Sequence, residues 1–69
     1  PNEWLVFIKA YALTGNIQTA KKLSTAALAE DPRIHRGICT TWEHIYIISD
    51  EASKDEIKQI LLSFKCSPQ

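Results

Sequence analysis

At 69 residues, 45 % of them apolar, the chain can form one small hydrophobic core and is too apolar to remain disordered. Its eight basic and eight acidic side chains cancel, so the basic excess of a nucleic-acid binder or of a polybasic membrane anchor is missing. No apolar run approaches the roughly 18 residues that a membrane-spanning helix needs. The chain starts at Pro1, contains no Met and shows no signal peptide. It therefore reads as one domain over 1–69, processed or excised from a larger protein.

The first predicted helix covers about 3–14. Asn2 can cap it and Glu3 complements the dipole in its first turn. From Trp4 to Leu13 the only charge is Lys9. Helical spacing puts Trp4, Ile8, Tyr11 and Ala12 on one face, and Val6, Phe7, Ala10 and Leu13 on the other. A helix apolar nearly all round needs cover on more than one side. It is either the centre of a compact bundle or a docking surface for a partner, a parent chain or a second copy.

Gly15 is a natural left-handed stop and Asn16 can cap a second helix over about 17–30. Ile17, Ala20, Leu23, Ala27 and Leu28 make its inner stripe, while Lys21, Lys22 and Ser24 fall mostly outside. The small inner side chains permit a close helix–helix approach.

The order Trp4-x2-Phe7-Ile8-x2-Tyr11, followed by Gly15, Ala20, Ala27 and Pro32, resembles a tetratricopeptide repeat, a helix-turn-helix unit of about 34 residues. The resemblance covers residues 3–34 and departs from the family twice. Ile8 stands where the family has a small Gly, and Ser24 where it has an aromatic. It implies a helical hairpin of a kind used to bind proteins. The second half of the chain does not repeat the signature.

Asp31-Pro32 marks the next start, Asp as cap and Pro as first helical residue. A third helix over about 32–48 places Ile34, Ile38, Trp42, Ile45 and Ile48 on one inward stripe. Ser49 to Ala52 form a turn, and Ser53-Lys54-Asp55-Glu56 reads as a capping box for a fourth helix over about 54–65. That helix presents Ile57, Ile60, Leu61 and Phe64, and stops before Ser67-Pro68. The predicted fold is all-α, four helices as two antiparallel hairpins.

Two cysteines in so small a domain favour a disulfide in an oxidising compartment; two buried or idle thiols are the alternative. If the last two helices pair antiparallel, Cys39 faces a position near Ser63, and modest fraying of the final turn brings Cys66 to it. The absence of Cys-x-x-Cys disfavours a dithiol redox motif. A metal site from His35, Cys39, His44 and Cys66 fails on geometry. His44 lies about 180° round the helix from His35, so three donors of that helix cannot converge. Glu43 and His44 diverge by about 100° and cannot act as an acid–base pair. Asp50, Glu51, Asp55 and Glu56 belong to capping and lack calcium-loop spacing. No phosphate loop, nucleophile elbow or zinc-protease motif occurs. No catalytic, cofactor or metal residue is predicted.

Of the six aromatic rings, Trp42 and Phe64 are expected in the core. Trp4, Phe7, Tyr11 and Tyr46 are the candidate partner anchors. The expected function is a non-catalytic protein-interaction domain, periplasmic or extracellular, that does not itself enter the membrane. Cys39-x2-Trp42 followed by Phe64-x-Cys66 resembles the periplasmic C-terminal tail of bacterial O-antigen-ligase-like proteins, a group that includes the pilin O-oligosaccharyltransferases. That resemblance implies a tail that positions the acceptor, with catalysis elsewhere in the parent. The alternatives are a cytosolic tetratricopeptide-type adaptor with reduced cysteines and a small secreted helical effector.

Overall fold

The computed structural model describes residues 2–66, and these fold as four α-helices. They are α1 (Asn2–Leu13), α2 (Ile17–Glu30), α3 (His35–Ile48) and α4 (Glu51–Ser63), with a 3₁₀ turn, Pro32–Ile34, leading into α3. The all-α class and the helix count are as expected. Asn2 is the first residue of α1, and its capping side chain lies outside the described residues, as do Ser67 and Pro68.

Each helix boundary has a local chemical cause. At the end of α1, the Asn16 amide donates to the Tyr11 carbonyl and the Gly15 amide to that of Ala12. Gly15 sits at φ +89°, the left-handed conformation that closes this double-bonded helix end and that glycine adopts without a Cβ penalty. The same hydrogen bonding already closes the turn, and the Asn16 side chain makes no cap to α2, contrary to expectation. Asp31 does cap: its carboxylate accepts from the Arg33 amide and guanidinium. The hydrogen bond from Arg33 is the main cause holding the Asp31 carboxyl below its ordinary range. Proline follows as predicted, but the first turn is 3₁₀, and the α-helix proper begins three residues later at His35.

The expected capping box is not the start of α4. Asp50 is its N-cap, accepting from the Ser53 amide at 3.0 Å, so the helix begins at Glu51. Asp50 outcompetes Ser53 because its carboxylate satisfies the orphan amide and opposes the positive helix end with a full negative charge.

The core consists of Ile8, Ala12, Ile17, Ala20, Ala27, Ile38, Trp42, Ile45, Ile57 and Ile60. Trp4, Leu5, Leu23, Leu28, Ile34, Tyr46, Leu61 and Phe64 pack around it. The Cα envelope is only 15 Å thick along its shortest axis, the depth of two layers of helices packed roughly 8–10 Å apart. Helices α1 and α2 pack closely, as do α3 and α4, with α1 also against α3. In the second pair Cys39, early in α3, meets Cys66 beyond the end of α4, while Tyr46, late in α3, meets Lys54, early in α4. This is the pairing of antiparallel neighbours. Gly37 allows α3 to approach α1, since a Cβ there would lie 3.0 Å from a Leu5 methyl.

Two predicted faces need correction. Ile48, expected on the inward stripe of α3, is 49 % exposed; it is the last residue of the helix, where the stripe ends. Ser24 was placed outside and is fully buried. Its hydroxyl donates to the Ala20 carbonyl and accepts from Trp42 Nε1, each at 2.9 Å. The indole N–H needs a partner once buried, and Ser24 is the only residue on the α2 face toward Trp42 that supplies both volume relief and an acceptor. The small serine leaves room on α2 for the indole that α3 supplies.

Candidate functional site

Two regions of the surface stand apart from an ordinary polar exterior. The first is the outer face of α1. At 100° per residue, Leu13, Val6, Ala10, Phe7 and Tyr11 occupy a contiguous arc of about 160°, and all five are exposed. Val6 is 67 % exposed, Phe7 58 %, Leu13 49 % and Tyr11 41 %. Glu3 and Thr14 fall within the same arc, in the first turn of α1 and just past its last, and the Thr14 hydroxyl donates back to the Ala10 and Tyr11 carbonyls. The opposite arc, Trp4, Leu5, Ile8 and Ala12, faces the core. Contiguous exposed apolar area of this kind is a mark of an interaction surface.

The four anchor candidates are thus divided. Phe7 and Tyr11 lie on the exposed arc. Tyr11, expected on the same face as Ile8, is 41 % exposed: it sits about 60° from Ile8, at the edge of the core-facing arc beside Trp4. Trp4 packs against the core and is not brought to the surface patch. Tyr46 is half-buried, with the Lys54 ammonium 4.6 Å above its ring centroid and donating to its backbone carbonyl. It lines a cavity of about 320 Å³ with Glu43, Ile47, Lys58 and Leu61. Val6 and Leu13 were not singled out as anchors, although the sequence placed them on the face away from Ile8. Ile47 and Leu62 also expose most of their surface, and neither carried a signal beyond lying off the inner stripe.

The second region is the open end of the second hairpin. Cys39 and Cys66 form a disulfide with a Cα separation of 5.4 Å. The final turn of α4 is not frayed. Instead the Cys66 amide donates to the Leu61 carbonyl at 2.8 Å and the Lys65 amide to that of Leu62 at 3.0 Å. Lys65 takes φ +59°, the role that Gly15 plays at the end of α1. This left-handed step reverses the chain and carries Cys66 back toward α3. His35, one helical turn before Cys39, is half-buried. Its Nε2 donates to the Phe64 carbonyl at 2.6 Å and lies 3.6 Å from Cys39 Sγ. His44 is elsewhere, its Nδ1 accepting from Lys9 Nζ at 3.0 Å.

No family model, curated protein or solved structure matches this chain. No helix among the described residues is long and apolar enough to cross a membrane. The functional reading therefore rests on these two regions.

Proposed function

We propose that this chain is a non-catalytic interaction module of an extracytoplasmic protein, whose α1 outer face docks on another protein. The observation that carries the reading is the exposed arc of Val6, Phe7, Ala10, Tyr11 and Leu13. Covering it would remove apolar side chains from water, each worth about 1.5–3 kcal/mol when fully buried. The aromatic pair supplies the rigid contact area that dominates binding energy at interfaces. The Cys39–Cys66 bond supports an oxidising compartment over the cytosol, where such bonds are rare. It favours the extracytoplasmic reading over a cytosolic adaptor.

A finer form of the proposal follows the resemblance to the periplasmic tails of O-antigen-ligase-like proteins. The paired residues Cys39 and Cys66, the buried Trp42 and the core-packed Phe64 are those that carry that resemblance. In this form the module positions the acceptor, a protein or lipid A, for transfer of a lipid-linked glycan by another part of the parent. The α1–α2 hairpin would supply the docking face in the manner of a tetratricopeptide unit.

The test is site-specific photocrosslinking in the native host, with the photoreactive residue at position 7 or, as control, at exposed Lys22 on α2. The proposal expects a discrete protein adduct from position 7 and none from position 22. Equal labelling from both positions would contradict it, as would no adduct from position 7.

A further inference from the structure

We infer that reduction converts the disulfide corner into a binding site for one thiophilic metal ion of the zinc class, with His35, Cys39 and Cys66 as ligands. The three donor atoms, His35 Nε2 and the two sulfurs, lie within 4.8 Å of one another. The sequence geometry excludes three donors from α3 alone, and His44 is indeed turned away toward Lys9. What brings a third donor is the left-handed step at Lys65, which carries Cys66 across to α3.

Two features keep these donors together without the sulfur–sulfur bond. His35 and Cys39 are four residues apart on α3, so their side chains lie one above the other on one face. The Cys66 amide donates to the Leu61 carbonyl, a bond that does not involve its sulfur. Two thiolates and one imidazole, with a fourth position open to water, form a known zinc donor set. Soft sulfur ligands select zinc or cuprous copper over the hard cations.

The chemistry balances in two steps. A dithiol reductant gives two electrons and two protons to the Cys39–Cys66 bond, yielding two thiols and its own disulfide. The metal ion then replaces the two thiol protons, which leave to solvent. The Nε2–H of His35, which donates to the Phe64 carbonyl, gives up its proton to solvent while Nδ1 takes one, and the ring turns from the carbonyl so that Nε2 can ligate. Oxidised protein has no free thiolate and is blind to the metal; the site exists only in the reduced state.

The experiment uses the whole 69-residue chain, reduced anaerobically with a phosphine that is then removed, and titrated with Co(II). Far-UV circular dichroism is recorded at each point, and Zn(II) is added last. Reduced protein is expected to bind one equivalent with the intense absorption of tetrahedral cobalt–thiolate coordination, displaced by Zn(II); oxidised protein shows none. His35→Gln can still donate to the Phe64 carbonyl but ligates poorly, and His35→Ala removes the donor. Each should bind at least tenfold more weakly, while His44→Ala binds as wild type. The inference is overturned if reduced wild type takes up no stoichiometric cobalt. It is equally overturned if both His35 variants bind as tightly as wild type, which would mean that two thiols of an unfolded chain suffice.

Discussion

The two hairpins are held together by different means. Between α3 and α4 there are ties at both ends. Lys54 bonds the Tyr46 carbonyl near the turn, and the Cys39–Cys66 bond with the His35–Phe64 hydrogen bond closes the open end. Between α1 and α2 no side-chain hydrogen bond or covalent link occurs among the described residues, and the pair rests on the packing of Ile8, Ala12, Ile17, Ala20 and Ala27. The exposed apolar arc lies on the hairpin held by packing alone. Scaffold and working surface are thus separated: the second hairpin is fastened within itself, and the first is fastened to it through Ser24–Trp42, Lys9–His44 and Gln18–Glu56.

The largest way to break this division is at Trp42, the biggest fully buried side chain. Trp42→Ala should cost about 3–5 kcal/mol, enough to unfold most of a domain whose total stability is of the order of 5 kcal/mol. Loss of the cooperative thermal transition is the expected readout. Next is the disulfide, which closes a loop with a sequence separation of 27. In the chain-entropy model its removal by Cys39→Ser with Cys66→Ser costs about 3.5 kcal/mol, measured as a lower urea midpoint. Intact mass after alkylation, with and without reduction, checks that the bond is present in solution.

Ser24→Ala sharpens the comparison at the joint between the hairpins. It removes the acceptor of Trp42 Nε1 and should cost about 1–3 kcal/mol. Much of that loss should disappear when Trp42→Phe is already present, because no indole N–H is then left unpaired. The smallest test concerns the two left-handed helix ends. Gly15→Ala should destabilise by about 1 kcal/mol and Lys65→Gly should stabilise by about as much, since only the second removes a Cβ from that conformation. Equal and like-signed shifts would contradict the reading of Lys65 as the strained counterpart of Gly15.

Period and punctuation made most of the architecture legible in advance. The inner stripes of α2 and α4, the stop at Gly15 and the Asp31-Pro32 start all follow from local rules, and local rules are what a single sequence displays. The misreadings share a different origin. Ser24 looks like a surface residue until Trp42 is known to lie across from it, eighteen positions away in sequence. The partner of His35, the Phe64 carbonyl, comes from the end of α4, twenty-nine positions away, and no local pattern announces it. Asp50 and Ser53 are both good caps, and only the helix start decides between them. Tyr11 lies at the edge of the core-facing arc, where spacing alone does not say whether a side chain is covered. On α1 the division into two apolar faces was visible, but not which of them would be covered.

That last choice is the centre of the account, and the pair Val6→Gln with Phe7→Gln tests it most directly. Both positions lie on the exposed arc, and glutamine preserves helix propensity. The thermal midpoint of the doubly substituted protein should stay within about 6 °C of wild type, as expected for two surface changes in a domain this small, while crosslinking from the neighbouring position 10 to its partner is lost. A drop in midpoint comparable to that of a core substitution would show that this face packs within the fold. Unchanged crosslinking would show that the partner does not use it.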